Sequence, residues 1–318
     1  MTGTGIGSGE CPTTCLPPEA GTGLRVDGAR GMVLIEIGFR QSARLDEGME
    51  RAVADLFILL SHERSGSHLV GEFLRSLTDF KVFDEVCNPD AVKPERWPES
   101  FFRFKYDAIV GDPQLLLNPT RQRHVAFVEG YFTHLLDLRT PHHVAVDIKY
   151  GHVQNFEGWW WPLLERPTLL KSCETGGIGI IHLFRENVVE ATVSSMIADK
   201  RKVWHSWEAA AEPTANRTFS LPVQEVVHRA KLLEEQIRWF REWTGKNRRI
   251  EITYERVSAE LGREGTLDTE LTGFLGQTPR MPFRPRHQKL TRPLREVLEN
   301  FAELKSACDA AGLGSLVP

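Results

Sequence analysis

Residues Phe57–Leu69 read FILLSHERSGSHL. An apolar run stops at a short polar loop, and Leu69, Val70, Phe73, Leu74 and Leu77 then fall at helical spacing. The run DLFILL, from Asp55 to Leu60, is short and continuously apolar after its first residue, as in a parallel strand buried on both faces. The stretch predicts strand, loop and helix, with the helix starting near Ser67. A helix start offers unpaired backbone N–H groups and partial positive charge. Gly66 lets the backbone come close to an anion, Ser65 and Ser67 add hydroxyls, and Arg64 supplies a planar fork of donors. This is the chemistry of a phosphate loop, without the Gly-Lys-Ser/Thr ending of a nucleotide kinase or ATPase. The plainer alternative is an N-cap by Ser65 or Ser67 with Arg64 in solvent.

Three more apolar runs of the same kind follow. HVAVDI ends at Ile148, just before Lys149; GIIHLF ends at Phe184, just before Arg185; RIEITY ends at Tyr254. Helical patterns separate them. One is marked by Val188, Val189, Val193, Met196 and Ile197, and a long one runs from Val223 to Phe240. The last is marked by Leu294, Val297, Leu298, Phe301 and Leu304. Strands alternating with helices predict an α/β fold, a central mainly parallel sheet with helices on both faces. Ligands of such sheets bind at the carboxyl ends of the strands. The loop 61–67, Lys149, Arg185 and Glu255 all fall there.

The stretch 94–140 reads as helical with no strand of its own, an acceptor-side insertion or lid. MVLIEI (Met32–Ile37) reads as a short strand or hairpin arm. Residues 1–23, rich in Gly, Thr and Pro, are expected to be a disordered tail, and residues 24–318 one domain.

In a chain of 318 residues, 41% hydrophobic and 26% charged, a net charge of −4 gives no global basic field for nucleic acid. No apolar run reaches the roughly 18–20 residues of a membrane helix. The N-terminus lacks the basic and apolar regions of a signal peptide. Five cysteines in this length are not a disulfide framework, so a reduced, cytoplasmic setting is expected. Cys11 and Cys15 have no second Cys/His pair close by, and no metal site is expected.

IIHLFRENVVEATVSS places Arg185 at a strand end and Ser194 nine residues on, about two turns into a helix starting near Glu186. The plainer alternative is that Arg185 pairs with a carboxylate and Ser194 is a tolerated helix residue. Arg-Ser-Gly-Ser at 64–67 resembles the 5′-phosphosulfate loop of sulfotransferases, and Arg185 with Ser194 resembles their 3′-phosphate motif. The resemblance is closest to bacterial carbohydrate and natural-product enzymes of the trehalose sulfotransferase type, and runs from about Asp55 to Leu304. It implies the sulfotransferase version of the P-loop NTPase-like fold. It implies 3′-phosphoadenosine 5′-phosphosulfate (PAPS) as donor and adenosine 3′,5′-bisphosphate as product. RHQKLTRPLREVLENF, from Arg286, resembles the family's closing segment and implies Arg286 and Lys289 as further 3′-phosphate ligands. His62 and His68 flank the loop as framing residues, His68 counted with the cofactor side.

Sulfuryl transfer to a hydroxyl needs a base for the acceptor and positive charge at the leaving phosphate. In trehalose-type enzymes the base is a Glu some twenty residues past the loop, which falls here on Glu85. The neighbouring Asp84 is a like charge that would raise one pKa of the pair. The rival base is His152, which resembles the His that follows a strand-end Lys in eukaryotic-type enzymes, with spacing that differs by one residue. Lys149 reads as an electrostatic group for developing charge, or as a surface lysine covering an apolar edge. FEGWWWPLLE (Phe156–Glu165) reads as core aromatics or an acceptor wall, Trp204 as an adenine stack, and Tyr254-Glu255 as a structural element. The expected acceptor is a small molecule, glycan or glycolipid, with further copies of the chain left open as partners. The rival functions are a nucleotide-dependent kinase, disfavoured by the absence of an evident strand-end Mg²⁺ carboxylate, and a non-catalytic nucleotide-binding regulator.

Overall fold

Alternation along β1 (Leu56–Ser61) divides the molecule into two cores. Leu56, Ile58 and Leu60 point into one, and Phe57 and Leu59 into the other, all essentially without exposure. A strand buried on both faces must be central, which is why its sequence is a run rather than an alternation. Each such side chain contributes roughly 1.5–3 kcal/mol by leaving water. The computed structural model describes residues 56–89, 98–138, 143–158, 165–202, 218–263, 266–277, 283–284 and 292–317.

Five parallel strands form the sheet: β1, β2 (Phe80–Phe83), β3 (His143–Lys149), β4 (Gly179–Phe184) and β5 (Arg249–Thr253), in the order β2-β3-β1-β4-β5. Helices cover both faces. On the Phe57 face lie α1 (Ser67–Ser76) and, farther along the chain, α8 (Tyr254–Glu260) and α9 (Thr266–Leu275). Against the Leu56 face pack α4 (Arg121–Asp137), α5 (Thr168–Thr175), α6 (Val188–Arg201), α7 (Val223–Trp243), α10 (Leu294–Val297) and α11 (Phe301–Ala310). The expected α/β architecture is the one present.

Four departures from the sequence reading have local causes. FKVF carries no strand signal in the sequence; as β2 it is only four residues long, on the sheet edge, with half-buried Lys81 breaking the run. Helix α6 starts at Val188 rather than Glu186. Asn187 caps it by accepting from the Glu190 N–H (2.9 Å), and Glu190 lies in its first turn. Tyr254 opens α8 rather than closing β5, because the Thr253 hydroxyl accepts from the Arg256 N–H (3.3 Å). The final helical pattern is broken at Leu298, whose extended backbone bridges Phe219.

Of the stretch 94–140, residues 98–138 are described, and they hold α2 (Phe101–Gly111), α3 (Gln114–Leu117) and α4 and no strand. The tail at 1–23, Met32–Ile37, Cys11, Cys15, Trp159–Trp161, Trp204, Arg286 and Lys289 lie outside the described residues. Among the described residues, no helix is long and apolar enough to cross a membrane. Cys87, Cys173 and Cys308 are buried and free.

Candidate active site

Register brings the singled-out residues to one end of the sheet. Ser61 pairs with Lys149 on one side and Leu183 on the other, and Phe184 pairs with Thr253. The loop after β1, Lys149, Arg185 and Glu255 therefore leave the sheet at the same edge.

Neither loop serine caps α1. The Ser65 hydroxyl donates to the His62 carbonyl (2.7 Å), and Gly66 stands at the N-cap with φ +90°. Arg64 is also left-handed, at φ +61°. The space a side chain at 66 would occupy is filled by Tyr254, whose ring carbon would lie 2.8 Å from an added Cβ. Gly66 is thus required for its backbone and for this packing. Gly66→Ala is expected to lose roughly 1–3 kcal/mol of stability, read as a lower urea midpoint. An unchanged midpoint would mean that the loop shifts freely.

The two basic motifs touch. Arg64 Nε donates to Ser194 Oγ on α6 (3.0 Å), and Ser195 Oγ donates to Glu63 Oε2 (3.2 Å). Burial and the neighbouring Arg185 both push the Arg64 guanidinium below its ordinary pKa. Arg185 is 3% exposed. Its guanidinium stacks 4.5 Å from the Tyr254 ring centroid and pairs with Glu190, with Glu255 3.9 Å from Nε. The carboxylate-pairing alternative for Arg185 is therefore real, but incomplete, because buried Nε has no hydrogen-bond partner. Glu255 accepts from the backbone N–H groups of Glu186 (3.1 Å) and Asn187 (3.3 Å), which sets the turn between β4 and α6.

His62 ties the two turns together. Its Nδ1 lies 2.6 Å from the Glu63 carbonyl, which only accepts, so Nδ1 carries the proton. Nε2 is then the acceptor for the Arg185 N–H at 3.0 Å. Burial is the main cause that lowers His62 to about 4, with Lys149 and Arg185 adding to it against the Glu63 bond. A histidine kept neutral in the fold destabilises it once the unfolded chain can take the proton. The loss begins near the unfolded value of about 6.5 and is complete below about 4. It amounts to about 3 kcal/mol. His62→Gln is expected to flatten that part of the stability-versus-pH curve; an equally steep curve would assign the slope elsewhere.

Lys149 is not a surface lysine. Its buried ammonium donates to Ser67 Oγ (2.6 Å), Ser61 Oγ (3.2 Å) and both Asp147 oxygens (2.8 and 2.7 Å), with Glu85 Oε1 at 3.7 Å. Asp147 is the residue that sequence reasoning missed. Two positions before Lys149 on one strand, it shares that residue's face, and this spacing was the available signal. Burial raises its carboxyl above the ordinary range, against the pull of Lys149. The expected lack of a strand-end carboxylate is corrected by Asp147, although Lys149 occupies both of its oxygens.

Glu85 follows β2 at φ +42°, a left-handed backbone unusual for a long side chain. It accepts from Asn88 Nδ2 (2.9 Å). Burial works to raise its carboxyl, but Lys149, Asn88, His68 and His152 together leave it below the ordinary value. The expected rise from Asp84 is not found: these four groups outweigh burial at Glu85, and Asp84 pairs with Arg75. His152 lies in the 3₁₀ turn Tyr150–Phe156. Burial lowers its pKa, opposed by Glu85, and its buried Nδ1 has no partner. Phe156 belongs to the core, with its ring 4.5 Å from that of Phe101.

Among the described residues, no three His, Cys, Asp or Glu side chains form a metal-binding group. No family model matches the chain, and no curated protein matches it. A solved structure described as a sulfotransferase from Alicyclobacillus acidocaldarius is similar over 82% of this chain and 94% of that one, at 15% identity and a TM-score of 0.38.

Proposed function

We propose that this chain is a PAPS-dependent sulfotransferase acting on a hydroxyl of a small-molecule, glycan or glycolipid acceptor. The contact between Arg64 Nε and Ser194 Oγ (3.0 Å) carries the reading. A donor anionic at both ends needs two positive grips at a fixed spacing, and this bond joins the first motif to the second. His62 fixes the same spacing through the Arg185 N–H. Arg185 Nε makes no hydrogen bond, with Glu255 at 3.9 Å, and is a donor atom that a ligand would engage.

In this reading Arg64, Ser65, Gly66 and Ser67, with His68 beside them, bind the 5′-phosphosulfate at the start of α1. Arg185 and Ser194 bind the 3′-phosphate, with Arg286 and Lys289 as further ligands. PAPS supplies the activated sulfuryl group. Lys149 takes the place of the lysine the loop lacks: its ammonium reaches Ser67 from the neighbouring strand, where charge on the leaving phosphate would grow. Glu85 takes the acceptor proton, and His152 orients the acceptor.

Incubation with labelled PAPS or ATP and a panel of hydroxylated acceptors tests the proposal. The expected result is a mass gain of about 80 Da from PAPS alone, the sulfuryl increment of this reaction class. Transfer from ATP would instead make the chain a kinase. Tight binding of adenosine 3′,5′-bisphosphate without turnover on any acceptor would make it a regulator.

A further inference from the structure

Lys149 has one positive charge and stands against two carboxylates, Asp147 at 2.8 and 2.7 Å and Glu85 at 3.7 Å. Its three N–H groups already serve Asp147, Ser61 and Ser67. When all three charged groups are ionised, this floor repels an anion. A ligand anion seated at Ser67 competes with Asp147 for those N–H groups. That carboxylate is 2% exposed, so bulk solvent does not replace the lost partner. A buried carboxylate stripped of its cation neutralises rather than remain charged.

We propose that Asp147 is a proton-linked counter-ion of Lys149: when an anionic group binds at the loop, a proton from solvent moves onto the Asp147 carboxyl. The Lys149 ammonium then passes to the ligand, and Glu85 stays ionised. The inference rests on the donor site proposed above and assigns a positioning role to a residue outside it. The groups that bear on Asp147 are Lys149 on its own strand, Glu85 and Asp84 beyond β2, and the buried Cys87 thiol. His68 on α1 and His152 on the 3₁₀ turn act on Glu85. Asp147 takes the proton because burial already favours its neutral form, whereas Glu85 is held in its charged form.

The test is calorimetric titration with adenosine 3′,5′-bisphosphate in buffers of different ionisation enthalpy, comparing the unsubstituted protein with Asp147→Asn. At about pH 8 the ligand phosphates, with a second pKa of about 6, are already ionised. Proton uptake by the unsubstituted protein is expected to exceed that of Asp147→Asn by roughly half a proton or more. Infrared difference spectra on ligand addition should show a protonated-carboxyl band in the unsubstituted protein and in Glu85→Gln, and none in Asp147→Asn. Binding without that band in the unsubstituted protein overturns the proposal, even if Asp147→Asn does not fold. A band that persists in Asp147→Asn also overturns it, as does equal proton uptake in the two proteins. No binding by the unsubstituted protein would instead fail the donor reading on which the inference rests.

Discussion

Glu85→Gln is expected to keep the affinity for adenosine 3′,5′-bisphosphate and to lower sulfuryl transfer roughly 10²–10⁴-fold, the usual worth of a positioned base. The side chain is isosteric and can still meet Asn88, so the strained turn at φ +42° has reason to persist. Proton acceptance is removed, together with the negative charge that faces Lys149 at 3.7 Å, a change that does not weaken the hold on an anion. Strain of this kind survives where the surroundings over-determine it, and it gathers at working sites. Because its pKa lies below the ordinary carboxylate value, Glu85 is ionised throughout the neutral range. Activity that depends on it should be level there and fall only in acid, as pH drops through the depressed value. His152 is the competitor, since burial also keeps it neutral near pH 7. Normal turnover by Glu85→Gln, with none by His152→Ala, would move the proton to the imidazole.

The readable parts of the chain were those where one local cause decided the outcome. β1, β3 and β4 are buried on both faces, and so most of their positions are apolar and read as runs. The start of α1 at Ser67 followed from Gly66 and the pattern after it. β2 was hidden because four edge residues carry too little pattern. The break at Leu298 was hidden because its cause is a bridge to Phe219, far away in sequence. The fit of Tyr254 over Gly66 is long-range in the same way. At the site, Arg64, Lys149 and Arg185 were legible as charges placed at strand ends. What they touch was not. Asp147 sat inside a run read as apolar, and the proximity of Arg64 to Ser194 needed the relative placement of two turns that only the sheet order supplies.

Arg185→Ala is expected to weaken adenosine 3′,5′-bisphosphate binding by roughly 2–5 kcal/mol, about 30-fold to a few thousand-fold. Two effects act in the same direction. The guanidinium, whose Nε makes no hydrogen bond, is lost as the proposed ligand for the 3′-phosphate. Glu190 and Glu255, which it now faces, lose its positive charge close to where the anion would sit. Arg185→Lys separates these contributions, since it keeps the charge but has no planar fork and stacks less well on Tyr254. It should recover part of the affinity and little of the geometry. The urea midpoint must be measured beside the titration, because a buried cation between two carboxylates also supports the fold. A large fall in affinity with a modest fall in midpoint places Arg185 in the binding site. Unchanged affinity removes it from that site and would leave the second grip to Arg286 and Lys289, because Ser194 already accepts from Arg64 and has no charge to hold a phosphate.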